Sequence, residues 1–344
     1  MTDGSGNRIL RLCAGLAASW GVSQGGAFFA HAQADPTARR PAGTLSGPPS
    51  NAPPETDPLP VPARLGGAPD VAFAAYQRGY YVTAMREAMK RIEADPGDGP
   101  AMTLIGELYS QGLGVRRDAT EAARWYKLAA ERSDRQAMFA LGIAKQKGEG
   151  VPRDRTGAAE LFEQAAAQNH PGALYNLGVL AIENDGVASD FPRAARLFRQ
   201  SAELGYSDAA YALGLLYRNG TGVEKSDEQA VQWIGRAAKN DNVPAQVEYA
   251  IMLFNGIGVD KDETAAAKLF LNAAVRNNPV AQNRAARLLA AGRGLPKDII
   301  EAMKWHLLAR AAGEKDAWLD GELAKLSAQE KSAVAASLHQ YGGN

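Results

Sequence analysis

A strict 36-residue register is what most constrains this chain. Ala101, Ala137, Ala173, Ala209, Ala245 and Ala281 stand 36 residues apart, as do Gly106, Gly142, Gly178 and Gly214, continued by Ala250 and Ala286. Ala122, Ala158, Ala194, Ala230, Ala266 and Ala302 keep the same step, and no insertion interrupts the six units. A fixed period of this length marks an array in which each unit covers its apolar face with the next.

Each unit parses as two helices. In the first, the columns that begin at 101, 105 and 108 lie at i, i+4 and i+7, one helical face. The column at 105 reads Ile105, Leu141, Leu177, Leu213, Tyr249, Ala285. The Gly/Ala column at 106 predicts a close helix–helix approach, which offsets the ~0.5–1 kcal/mol that glycine costs inside a helix relative to alanine. A Gly-x-Gly-Val turn follows, as in Gly112-Leu113-Gly114-Val115 and Gly220-Thr221-Gly222-Val223, with Asn184-Asp185-Gly186-Val187 as an imperfect copy. Glycine at that point permits a left-handed helix cap. A phosphate cradle would need a preceding strand and a third glycine, and the sequence offers neither.

The second helix is expected to open on an aspartate: Asp118, Asp154, Asp190, Asp262 and Asp298, with Asp227 one place late. One carboxylate per repeat at a helix start reads as an N-cap, not a metal site. Asp118 with Glu121, and Asp298 with Glu301, have the spacing of a capping box. Core columns follow, among them Tyr126, Phe162, Phe198, Ile234, Phe270 and His306. Units close at Ser133, Asn169, Gly205, Asp241, Asn277 and Gly313, mostly residues that tolerate a left-handed backbone.

The combined pattern Ala-x-x-x-Leu-Gly-x-x-Tyr-x-x-Gly-x-Gly-Val, then Asp, Ala, Trp/Leu-Phe/Tyr and Ala-Ala, closely resembles the Sel-1-like repeat family. Residues 209–238 match it best, through Ala209, Leu213-Gly214, Tyr217, Gly220-Thr221-Gly222-Val223, Ala230, Trp233 and Ala237-Ala238. The resemblance covers about residues 70–316. Within it, 71–97 is similar to a shorter tetratricopeptide unit, carried by Tyr76, Gly79-Tyr80, Ala84 and Asp95-Pro96. It implies an all-α fold, a right-handed α-solenoid of antiparallel helix pairs, and an adaptor role in signalling, secretion or envelope complexes. Some exported members carry a cysteine pair in each repeat and have been linked to β-lactam binding. This chain lacks those cysteines: its single one is Cys13. Residues 317–344 are expected to form capping helices that cover the last apolar face, the final one opened by Ser327-Ala328-Gln329-Glu330.

The N-terminal region reads differently. Arg8 and Arg11 precede an uncharged stretch from Leu12 to Ala30, and Ala30-His31-Ala32 and Ala32-Gln33-Ala34 both fit small-x-small cleavage. Residues 1–34 are therefore expected to be a secretory signal peptide cut near Ala32 or Ala34, with an uncleaved anchor as the alternative. The mature protein is then expected in the periplasm or secreted, with no stable membrane insertion. Residues 35–69 hold ten of the eighteen prolines and few large apolar residues. They read as a disordered, polyproline-II-biased linker.

Chemistry is sparse. Lys+Arg and Asp+Glu are balanced at 38 each, so no basic surface points to nucleic acid. The histidines His31, His170, His306 and His339 form no metal-ligand spacing, and His306 falls in a core column. Neither His-Glu-x-x-His nor a P-loop occurs, and the one Gly-x-Ser-x-Gly match, Gly21 to Gly25, falls within the uncharged N-terminal stretch. No catalytic residue, metal, cofactor or small-molecule substrate is expected. Binding is expected on the first helices, whose columns at 104, 107 and 111 form a second stripe. Related solenoids line their concave surface with these helices. Candidate partner-binding residues are Ile143, Asn176, Val179, Leu215, Asn219, Glu248, Ile251 and Asn255, an apolar strip with polar edges that suits an extended peptide or a helix. The column at 107 can equally be inter-helix core. The function expected is an exported, non-enzymatic scaffold for another envelope protein or peptide. The alternative is a peptidoglycan- or glycan-binding module or a cell-wall hydrolase-like protein.

Overall fold

The apolar columns at helical spacing become helices throughout. The computed structural model describes residues 70–183 and 188–342. The signal and linker segments, Cys13, His31 and the Asn184–Val187 turn lie outside the described residues. Among the described residues every regular element is a helix and there is no strand. Contacts divide the chain into two units, one ending at Gln168 and the other running from Asn169.

In the first unit, α1 (Val71–Gln77) pairs with α2 (Tyr81–Ala94), α3 (Gly99–Gln111) with α4 (Ala119–Glu131), and α5 (Arg135–Lys147) with α6 (Arg155–Ala167). In the second, α7 (Pro171–Glu183) pairs with α8 (Phe191–Glu203), α9 (Ser207–Asn219) with α10 (Asp227–Lys239), α11 (Val243–Asn255) with α12 (Glu263–Val275), and α13 (Pro279–Ala291) with α14 (Ile299–Ala311). Two further helices, α15 (Ala317–Lys325) and α16 (Ala328–Gly342), pack on α14. Short turns make each pair antiparallel, and within each unit successive pairs stack. The fold class is the α-solenoid that the family resemblance implied.

Helix starts are fixed by side-chain caps. Asp118, Asp154, Asp190, Asp262 and Asp298 each accept a backbone N–H from the first turn, at 2.8–3.0 Å. The fourth 36-residue unit corrects the sequence reading. There Ser226, in register, accepts the Gln229 N–H at 3.1 Å, and Asp227 is the first helical residue. A second set of caps escaped the sequence reading. Asp98, Asp134, Asn242 and Asn278 open the first helices, and His170 does so through Nδ1, which accepts the Ala173 N–H at 3.1 Å. The capping box at Ser327 and Glu330 is reciprocal.

Packing explains the small residues. A Cβ on Gly142, Gly178 or Gly214 would lie 2.5–2.6 Å from Phe162, Phe198 or Ile234, so the glycine column lets an aromatic or branched side chain of the second helix reach the first. Phe162, Phe198 and Ile234 are wholly buried. Each such burial contributes roughly 1.5–3 kcal/mol. Closing positions Ser133, Asn169, Asp241 and Asn277 have φ of 58–61°, as their residue types predicted. The second glycine of the turn also answers to space. At Gly150, φ is +72° and a Cβ would sit 1.9 Å from the Ala119 carbonyl oxygen of the preceding repeat.

Candidate functional site

The columns at 104, 107 and 111 lie on the first helix of each repeat, and their fate differs along the chain. In the first unit the column at 107 opens with Glu107. It accepts the Tyr126 hydroxyl at 2.8 Å and the Gln111 amide, while burial pushes its carboxyl above the usual range. Ile143, one repeat on, is half-buried.

The other seven candidate residues lie in the second unit. Val179 and Leu215 are only 4% and 3% exposed, so at these two positions the column is inter-helix core and has little surface to offer a partner. Both belong to one large apolar cluster that also takes in side chains of α8 and α10. Asn176 donates its amide to the Gly172 carbonyl at 2.8 Å, and Asn255 to the Ile251 carbonyl at 2.9 Å, so each bonds back onto its own helix. Glu248 is ion-paired with Arg218, and Asn219 is exposed.

Ile251 and Asn255 meet other side chains in an open groove of about 510 Å³. From α11 it takes Ile251, Phe254 and Asn255; its buried floor includes Phe270 of α12 and Leu288 of α13. Facing them on α13 are Arg284, Arg287 and Ala291, which occupy the columns of Glu248, Ile251 and Asn255 one repeat later. Arg293, in the turn after α13, and Trp318 of α15 complete the rim. The stripe of columns thus forms a concavity where α11 and α13 lie side by side.

The groove's electrostatics come from three guanidinium groups. Arg287 donates two hydrogen bonds to Asp316, at 2.5 and 2.8 Å, and lies 5.6 Å from the Trp318 ring centroid. Burial alone would raise the Asp316 carboxyl, but the bonds from Arg287, Asn283 and the Leu319 N–H hold it well below the usual carboxylate range. Arg293 pairs with Glu263, which Arg293 and Lys261 lower to about 2, and stacks over Phe254 at 4.5 Å. Arg284 is exposed and has no hydrogen-bond or ion-pair partner among the described residues. Trp318 is 44% exposed. Phe254, Arg293 and Trp318 were missed in the sequence. Trp318 lies past the last repeat, where the register no longer says which face a side chain takes.

His306 is fully buried, with Nε2 bonded to the Asp320 carboxylate at 2.9 Å, tying α14 to α15. Among the described residues no group of three or more His, Cys, Asp or Glu side chains could hold a metal ion. Nor is any helix there long and apolar enough to cross a membrane.

Six consecutive copies of the Sel1 repeat match residues 99–134, 135–170, 171–206, 207–242, 243–278 and 279–314. The chain belongs to the Sel1 repeat family. A Sel1 repeat protein from Oxalobacter formigenes has a similar structure, at 33% identity and a TM-score of 0.64, over 70% of this chain and 98% of that one. A protective antigen of uropathogenic Escherichia coli strains, displaying an SLR fold, aligns at 26% identity and a TM-score of 0.48, over 79% of this chain and 67% of that one. No curated protein matches the chain. Sel1 repeat proteins are generally scaffolds for protein–protein interaction, and this chain is one of their fold.

Proposed function

We propose that this Sel1 repeat protein is an exported, non-enzymatic adaptor that binds a segment of another envelope protein through its repeat array. The observation that carries this reading is the groove between α11 and α13. It combines a buried apolar floor, an exposed tryptophan and polar arginines, the composition of a peptide-docking surface. Export rests on the sequence of residues 1–34 alone: the basic start, the uncharged stretch and the two small-x-small sites. An envelope signalling, division or polysaccharide-export complex is the setting that the family resemblance suggests.

The test is in-cell crosslinking of the tagged full-length protein, followed by cell fractionation, pull-down and mass spectrometry. One specific envelope protein is expected, together with a mature N-terminus near Gln33 or Asp35. Recovery of the uncut chain from the cytoplasm would overturn export. A second reading, a glycan-binding module, gains one specific observation in the exposed Trp318, since an accessible indole face is what a sugar ring stacks on. A sacculus pull-down separates the two, being expected to fail for the adaptor and succeed for the glycan binder.

A further inference from the structure

The groove's three arginines are not equivalent, and the difference specifies a ligand. Arg287 and Arg293 each hold an acidic partner from this chain, Asp316 and Glu263, in two-point contacts. Their charges are spent on architecture. Asp316 fixes the start of α15 and so the place of Trp318, while Glu263 holds Arg293 against Phe254. Arg284 is left with no counter-charge, exposed on the same wall. One helical turn along α13 stands Leu288, and across the groove stand Ile251 and Phe254. The surface therefore offers one open, bidentate-capable cation beside an apolar bed capped by an indole.

We infer that this groove binds a short extended peptide segment in which an acidic side chain pairs with Arg284 and a neighbouring apolar side chain packs against Ile251, Phe254 and Trp318. This rests on the adaptor reading and names the chemistry of its partner. Charge complementarity selects the occupant. A guanidinium matches a carboxylate through two parallel hydrogen bonds, and it does so best at the rim of a partly dry pocket. The apolar bed supplies area, and the carboxylate supplies register and partner choice. A basic segment is disfavoured by the uncompensated Arg284, and a purely apolar one leaves it unanswered.

The experiment is fluorescence anisotropy with the full chain and a labelled heptapeptide that alternates glutamate with leucine and phenylalanine. A counterpart with glutamine for each glutamate serves as the neutral probe. Saturable binding of the acidic peptide is expected, at least ~10-fold tighter than the glutamine peptide, and weakening as salt rises. Arg284→Glu should abolish that preference, and Trp318→Ala should weaken both peptides about 10-fold. Both side chains are exposed, so the variants are expected to keep the wild-type melting curve. Equal binding of the two peptides, or a preference untouched by Arg284→Glu, would overturn the inference. So would binding of soluble peptidoglycan fragments in place of the acidic peptide. These failures are distinguishable from failure of the adaptor reading. If the inference alone is wrong, in-cell crosslinking still recovers an envelope protein, and Arg284→Glu leaves that recovery unchanged; if the adaptor reading is wrong, nothing specific is recovered from either.

Discussion

Arg287 and Asp316 face each other in a two-point ion pair, Nε donating to Oδ2 at 2.5 Å and Nη2 to Oδ1 at 2.8 Å, on opposite sides of the step from the last repeat to the closing helix. Asp316 is buried and does three things at once. It receives Arg287, accepts the Asn283 amide at 2.9 Å, and caps α15 through the Leu319 N–H at 3.2 Å. Asp316→Ala removes a cap and several charge-assisted bonds, while Arg287 stays near enough to water to be resolvated. The expected cost is about 2–4 kcal/mol, read as a lowered midpoint in urea unfolding. The same substitution should release Trp318 and shift its fluorescence towards the red. Because the folded Asp316 carboxyl titrates far below its unfolded value near 3.9, its contribution is complete above that pH and lost as pH falls below it.

The glycine column makes a sharper demand. At Gly214 an added Cβ would lie 2.5 Å from Ile234 Cγ1 and about as near as contact allows, 3.1 Å, to the Ile234 backbone nitrogen. Gly214→Leu forces α9 and α10 apart and is expected to cost 3 kcal/mol or more, on the order of the largest overpacking penalties. Differential scanning calorimetry checks it, and an unchanged melting temperature would remove the close-packing argument. Gly205→Ala is the control: its φ is +92°, but no atom lies within 4 Å of the added Cβ, so only backbone strain is expected there.

The cap at Ser226 marks how far the sequence could be read. The period placed each helix pair, the Gly/Ala column gave its closest contact, and the closing residues told where the backbone turns left-handed. The period is legible because stacking repeats the same contact at the same place, so chemistry recurs in register. What recurs by geometry but not by residue type was harder to see. An N-cap needs only an oxygen or nitrogen acceptor of short reach, so Asp227 drew attention while Ser226 held the position, and His170 was weighed only as a metal ligand. The binding columns were half legible for a related reason. Val179 and Ile251 stand in one column, but the packing of their neighbours buries the first and leaves the second in the groove. Ser226→Ala is expected to cost about 1 kcal/mol and Asp227→Ala only a few tenths, by chemical denaturation. The reverse order would restore Asp227 as the cap.

Asp208 supplies a pH dependence of opposite sign to that of Asp316. It sits in the first turn of α9, where burial raises its carboxyl to about 6, partly offset by the Asn242 amide that donates to it at 2.6 Å. Below about pH 4 both folded and unfolded forms carry the neutral acid, and Asp208 costs nothing. Between about 4 and 6 the unfolded chain ionises first, so the folded state loses stability as pH rises, by up to about 3 kcal/mol once both are ionised. Asp208→Asn keeps an oxygen for the Asn242 amide and removes the charge. The variant should therefore melt several degrees above the wild type at pH 7 and together with it at pH 4. The α9 N-terminus works against this gain, since its partial positive charge favours the carboxylate. Melting curves that stay equal at pH 7 would mean that the helix terminus and the Asn242 amide already balance the burial, and that Asp208 contributes no pH dependence.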